Sequence, residues 1–333
     1  MNRDFKRILI IGHSNIGDVC YDLVVIAPLR RAYPGGKITF LTSSQSRQLL
    51  ENYPGISEII IFDKRGQQKG FYKLIELIKL LRTKKFDLCI VLKKSLFFYF
   101  LNIPCIWSLK RNTRLHVADN YLNLLKIHGI KIEEKARFDF GFNNQELGFA
   151  DSFFAKNRIS PKDSVIAIGP FSNWSLKCWP VEKWNELIKT VSSQFNFKII
   201  VLGKIGNDAY SKYLAKNIST TAISAINQCS LKESMALIKR SRLFISSDTS
   251  LLHIASAMNV PCIGLYGPTA NTAYYPYFHL RSMIIADNLP SCAPCLKTNR
   301  FAECKKEGKA PCMDAISVEE VLEAAKKELK INK

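Results

Sequence analysis

The chain has 333 residues, 47% hydrophobic and 11% aromatic, with 48 Lys and Arg against 28 Asp and Glu, a net charge of +20. That length exceeds one ordinary core and points to two domains, while the apolar share excludes a disordered chain. The charge points to an anionic partner: nucleic acid, a phosphorylated ligand or an acidic membrane surface. Its basic residues are spread along the whole chain, so a solvated Lys-rich surface accounts for the excess equally well. The start "MNRDFKRILIIG" has only a short apolar run, which reads as a buried strand and not as a secretion signal. No stretch reaches the roughly 18 apolar residues of a membrane span; "SLFFYFLNIPCIWSL" is shorter and holds Pro104. Ten scattered cysteines without a leader fit a reduced, cytoplasmic setting.

In chain order, strands are expected at Arg7–Ile11, Lys37–Thr42, Glu58–Phe62 and Asp87–Val91, alternating with helices at Asp18–Tyr33, Ser44–Asn52 and Gly70–Thr83. Such alternation argues a parallel sheet covered on both faces. The pattern fades through "EEKARFDFGFNNQELGFADSFFAKNRISPKDS", read as a linker with room for a helix. It resumes with strands Ser164–Gly169, Lys198–Leu202, Ala222–Ile226, Leu243–Ser246 and Pro261–Tyr266. Between them come helices Val181–Gln194, Asp208–Lys216, Leu231–Lys239 and Thr249–Met258. A last helix follows Ser317, with Glu320 completing a capping box. The expected architecture is two Rossmann-like α/β domains facing a central cleft, 1–150 and 151–316, closed by the helix in 317–333.

In such sheets, ligands gather at the carboxyl ends of strands, where helix N-termini present free N–H groups. Asp248, Thr249, Ser250 and His253 crowd that position after Leu243–Ser246, and two hydroxyls with a helix start suit a phosphate. Taken alone, they read as an ordinary N-cap and a hydrogen-bonded core histidine. A second loop, "GPFSNWSLKCWP", adds Ser172, Asn173, Ser175 and Lys177 at the end of the domain's first strand. A lysine there neutralises a diphosphate as a point charge, without metal.

"SSDTSLLHIASAMNVPCIGLYGPT" resembles the donor-site signature of glycosyltransferase family 9, the ADP-heptose:lipopolysaccharide heptosyltransferases. "SLKCWPVEKWNELI" is similar to the family's Lys-x-Trp-Pro-x-Glu segment, and "IGDVCYDLVVIAPLRRAYP" to its opening Gly-Asp helix. "CAPCLKTNRFAECKKEGKAPCMDAISVEEVL" is like its Cys-rich tail. The resemblance implies a GT-B fold, an acceptor-binding first domain, a nucleotide-sugar-binding second domain, and inverting chemistry without a catalytic metal. Carried over, Lys177, Asp248, Thr249, Ser250 and His253 become donor-binding residues and Asp18 the catalytic base, and Ser172 of the second loop joins the expected donor-binding set. Without it, Asp18 reads as the cap of a helix starting at Val19, with Asp22 the fallback carboxylate. Three positions depart from the family: Ser250 stands where a Gly is expected, and Val24 where a Pro is expected. The acidic residue expected after the second strand's Gly is replaced by Lys204 and Ile205, with Asp208 nearest.

The implied partners are a nucleotide-sugar of ADP-heptose type and an anionic lipopolysaccharide core, with peripheral contact at the cytoplasmic face of the inner membrane. Lys64, Arg65, Lys93, Lys94, Lys110, Arg111 and Arg114 follow strand ends and are candidates for that acceptor. Cys292, Cys295, Cys304 and Cys312 are spaced C-x2-C-x8-C-x7-C, which suits either a structural zinc or free thiols; no cofactor is required. Two alternatives stand beside this reading. One is transfer of another nucleotide-sugar to an envelope glycan. The other is a nucleic-acid-binding protein using the charge and the four cysteines. The aromatics read mostly as core and "SVEEVLEAA" begins acidic, so nucleic acid is not the expected partner.

Overall fold

Short runs of Ile, Leu and Val build both sheets, because a parallel strand covered on two faces needs apolar residues at every position rather than at alternate ones. In the computed structural model, the described residues are 4–64, 66, 68–109, 112–133, 138–269, 273–278, 283–286, 289–295, 304 and 310–331. They fall into two compact units, Met1–Gly141 and Phe142–Lys333.

The first unit contains β1 (Arg7–Ile11), β2 (Lys37–Thr42), β3 (Glu58–Ile61), β4 (Leu88–Val91) and β5 (Ile106–Ser108), all parallel in the order β3-β2-β1-β4-β5. Its helices are α1 (Ile16–Asp22), α2 (Ile26–Ala32), α3 (Ser44–Leu50), α4 (Phe71–Thr83) and α5 (Val117–Ile127). The single helix expected over Asp18–Tyr33 is split by a 3-10 turn at Leu23–Val25. Pro28 explains the break: it has no N–H for the Val24 carbonyl, and its ring crowds that carbonyl, so the preceding turn tightens.

The second unit starts with α6 (Asn144–Lys156). Then come β6 (Val165–Gly169), α7 (Val181–Phe195), β7 (Lys198–Val201), α8 (Ala209–Asn217), β8 (Ile223–Ser224) and α9 (Leu231–Lys239). β9 (Leu243–Ser247), α10 (Ser250–Ala257), β10 (Cys262–Leu265), β11 (Met283–Ile284), α11 (Pro311–Asp314) and α12 (Val318–Leu329) complete it. Its parallel strands run β11-β10-β9-β6-β7-β8. Both orders reverse direction beside their first strand, between β1 and β4 and between β6 and β9, the doubly wound arrangement of Rossmann-like domains. Ser317 and Glu320 form the expected capping box on α12.

The division between units falls at Gly141 and Phe142, ahead of the expected boundary at 150. The cause is α6: Ala150, Phe153 and Phe154 join the core of the second sheet. The Phe142 ring also lies 4.9 Å from Lys239 Nζ on α9. Among the described residues, no helix is long and apolar enough to cross a membrane.

Candidate active site

The chain leaves β6 and β9 side by side at the switch point of the second sheet. After β6 it runs through "PFSNWSLKCWP" to Pro180, which sits at the N-cap of α7. Trp179 anchors this loop: its indole is fully buried, packs edge-on to Trp184 at 5.1 Å, and donates from Nε1 to the Ile316 carbonyl at 3.1 Å. The tryptophan of the Lys-x-Trp-Pro segment is therefore a core residue. Its neighbour Lys177, in a 3-10 turn at Ser175–Lys177, reaches across to the other strand.

There Lys177 Nζ donates to Asp248 Oδ2 at 2.8 Å, and His253 Nε2 donates to Asp248 Oδ1 at 3.1 Å. One buried carboxylate thus holds two cationic or polar groups from two elements. Burial alone would raise the Asp248 pKa, but the His253 hydrogen bond and the Lys177 charge hold it well below the usual carboxylate range. Asp248 is not the N-cap of the helix. Thr249 occupies that place, with its hydroxyl 3.1 Å from Ser246 Oγ, and Ser250 is the first residue of α10. Since no side chain caps α10, its first N–H groups remain available for an anion. Ser172 makes a local contact, its Oγ accepting from the Trp174 N–H at 3.3 Å. Two hydroxyls that sequence reasoning passed over flank this corner. Ser247 Oγ ends β9 and Thr269 Oγ1 follows β10, and both are buried without a hydrogen-bond partner among the described residues. Buried polar atoms are nearly always paired, so such orphans suit a ligand oxygen. Their only sequence signal is position, at the carboxyl ends of adjacent strands.

The switch point of the first sheet has a different construction. The loop after β1 carries His13 and leads to Asp18 and Asp22 on α1. Asp22 is wholly buried, accepting from the His13 N–H at 2.7 Å and from His13 Nδ1 at 2.9 Å. Burial works against a charged His13, yet Asp22's charge and hydrogen bond outweigh it and raise the imidazole's pKa above its usual 6.5. Gly12 is required here, since a Cβ would lie 2.3 Å from the Phe40 ring and 2.9 Å from Asp22 Oδ2. Asp18 is half-buried in the first turn of α1 and accepts from Asn15 Nδ2 at 3.0 Å. Asn15 holds the N-cap position, so Asp18 is not the cap. The fallback carboxylate, Asp22, is the orienter of His13, and His13 is a residue the sequence reading missed. Across the switch, Lys93 follows β4; burial lowers its pKa, Asp22's charge opposes this, and Lys64 adds to it. Lys64, Lys93, Asp18 and His13 thus share one electrostatic neighbourhood.

Lys64, Lys94 and Arg114 are exposed, and Arg65, Lys110 and Arg111 lie outside the described residues. Asp208, the nearest carboxylate to the expected ribose position, caps α8 through Ser211 N at 2.9 Å and Ser211 Oγ at 2.6 Å. Cys295 and Cys312 are buried, Cys304 half-buried and Cys292 exposed. Burial, then the neighbouring Cys295 and Cys304, push the Cys312 thiol up to about 11, which favours protonated thiols. Among the described residues, no group of three His, Cys, Asp or Glu is placed to hold a metal ion, these four included.

Two doubly wound sheets, the second with a cationic, hydroxyl-rich corner at its switch point, define a glycosyltransferase of the GT-B fold. The sequence model of glycosyltransferase family 9 (heptosyltransferase) matches residues 74–306, and the chain belongs to that family. It is 24% identical over 304 residues to the lipopolysaccharide core heptosyltransferase OpsX of Haemophilus influenzae, covering 84% of each chain. The fold is shared with the crystal structure of a family 9 glycosyl transferase from Veillonella parvula (TM-score 0.83, 23% identity, 100% of this chain and 99% of that one). It is likewise shared with E. coli heptosyltransferase WaaC with ADP (TM-score 0.71, 16% identity, 97% and 99%).

Proposed function

We propose that this glycosyltransferase moves a heptose from an ADP-activated donor to the inner core of lipopolysaccharide, with inversion and without a catalytic metal. In this reading, the first unit, Met1–Gly141, binds the acceptor and the second, Phe142–Lys333, the nucleotide-sugar. The observation that carries it is the Lys177–Asp248–His253 constellation beside the uncapped start of α10. A departing diphosphate gains negative charge as its bond to the sugar breaks. The third donor of Lys177, the hydroxyls of Ser172, Thr249 and Ser250, and the amides of α10 meet that charge without reorganising. The orphan hydroxyls of Ser247 and Thr269 gain partners in the same ligand. Asp248 keeps Lys177 and His253 in place and stays ionised, while His253 contributes as its partner.

On the acceptor side, the attacking hydroxyl forms its bond to the anomeric carbon opposite the diphosphate. Its proton passes to Asp18, whose carboxylate accepts from one amide donor, Asn15 Nδ2, among the described residues. His13, held by Asp22, and the lysines Lys64, Lys93 and Lys94, with Arg65, Lys110, Arg111 and Arg114, favour an anionic core oligosaccharide. Such an acceptor is lipid-anchored, which brings the enzyme into peripheral contact with the cytoplasmic face of the inner membrane.

One observation favours a second reading, transfer from another nucleotide-sugar: Asp208 is committed to capping α8, leaving Lys204 and Ile205 where a ribose-binding carboxylate is expected. The test incubates the purified protein with ADP-heptose and heptose-deficient lipopolysaccharide and reads the acceptor by mass spectrometry. A gain of one heptose supports the proposal. An unchanged acceptor, with calorimetry showing tighter binding of UDP or GDP than of ADP, moves the assignment to the second reading.

A further inference from the structure

Large apolar side chains left in water are unevenly distributed. Phe71, Tyr72, Leu80, Leu96, Tyr99 and Phe100 are 72, 81, 46, 75, 69 and 61% exposed, and all lie within residues 71–100. They belong to α4 and to the 3-10 turn Phe97–Leu101 with its N-cap Leu96. These two elements pack against each other: Leu77 and Leu81 share a core with Phe98 and Leu101, and Arg82 Nε donates to the Phe100 carbonyl at 2.8 Å. Their outward residues therefore form one flank of the first unit.

The stretch of sequence that carries this flank is strongly basic. Between residues 64 and 100 there are ten Lys and Arg against two acids, Glu76 and Asp87. Both acids are engaged: Glu76 pairs with Lys73 at 2.8 Å, and Asp87 accepts from the backbone N–H groups of Lys6 and Arg7. Lys69, Lys79 and Lys85 are exposed and make no ion pair among the described residues.

We propose that the outer face of α4 and the Leu96–Phe100 turn docks onto an anionic lipid bilayer. Aromatic rings at headgroup depth and lysines reaching lipid phosphates are the two contacts that such a surface rewards. A protein partner fits worse, since interface cores are depleted in lysine and here lysines alternate with the aromatics. The surface is argued from exposure and charge; its purpose, bringing the enzyme to a lipid-anchored acceptor, rests on the proposed function.

The full chain is sedimented with vesicles of phosphatidylethanolamine and phosphatidylglycerol, and with phosphatidylcholine vesicles. Binding to the anionic vesicles alone, weakened by salt, is expected. The triple variant Tyr72→Ser, Tyr99→Ser, Phe100→Ser and the pair Lys79→Glu, Lys85→Glu should each weaken it about tenfold or more. All five positions are exposed, so thermal unfolding should be unchanged, as should transfer to a deacylated, water-soluble acceptor. Equal binding to neutral vesicles, no binding at all, or full binding by both variants overturns the proposal. So does a concentration-dependent dimer that the triple variant abolishes, which would assign the face to a second copy. Vesicle binding without heptose transfer would sink the proposed function and leave this surface standing.

Discussion

The two switch points, at equivalent places in two similarly ordered sheets, treat their carboxylates in opposite ways. In the second unit, Asp248 is clamped between Lys177 and His253, groups brought from 71 and 5 residues away. In the first, Asp22 is buried with His13, and a second carboxylate, Asp18, is left half-exposed with one amide donor among the described residues. A clamped carboxylate positions donors for a charge that arrives with the ligand. A lightly held one keeps lone pairs free to take a proton. On the proposed function, one switch point serves as an anion cradle and the other supplies the base, the difference lying in how many hydrogen bonds each carboxylate already accepts.

Mutation separates the two roles. Asp18→Asn should have the largest effect, lowering turnover on the order of 10²–10⁴-fold while calorimetry finds ADP affinity unchanged. Retained turnover would remove Asp18 as the base. Asp248→Ala should cost about 3–5 kcal/mol in denaturant unfolding and weaken ADP binding as well, because it leaves Lys177 and His253 without their shared partner. A loss of affinity with no loss of stability would mean the carboxylate meets ligand directly. Lys177→Ala should weaken ADP by roughly 1.5–3 kcal/mol, the worth of a hydrogen bond to a charged group, with little change in unfolding.

A pH series sharpens the contrast further. His13 is raised in the folded protein, so its stabilising contribution is complete below about pH 6.5 and is lost as pH rises through the folded value. Asp248 is depressed, so its contribution holds above the ordinary carboxylate range and disappears only as strong acid protonates it. His13→Gln should flatten the stability profile on the neutral side and leave the acid side alone, as read by chemical denaturation. The smallest expected effect is Ser250→Gly, which puts the glycine expected from the family resemblance at the start of α10. It should change ADP affinity by a few-fold at most and cost roughly 0.5–1 kcal/mol of stability.

Legibility followed chain distance. The Asp-Thr-Ser corner and the Lys-x-Trp-Pro loop are contiguous, so their placement at strand ends could be read from the sequence, whereas the ion pair joining them spans 71 residues and could not. β1, β2 and α9 appear with their expected bounds because turn residues punctuate them. β5 and β11, with three and two residues, are too short for any period to register. α5 carries apolar residues at helical spacing, with Val117, Tyr121, Leu124 and Leu125 buried, so its period is legible in the sequence although it is not among the expected helices. The His13–Asp22 pair escaped for another reason. Partners nine residues apart, one in a loop and one at the end of a helix, obey no local spacing rule.

The indole of Trp179 bonds to Ile316, and Lys183 of α7 also reaches the Ile316 carbonyl, at 2.9 Å. The loop that presents Lys177 is therefore fastened by a residue 137 positions beyond Trp179, like a strap through a buckle. Removing the chain from Ile316 onward would release that fastening and strip Val318, Val321 and Ala325 from the core beside it. The position of Lys177 is therefore tied to the packing of α11 and α12, and a lesion in those helices would be felt at the Lys177–Asp248 pair.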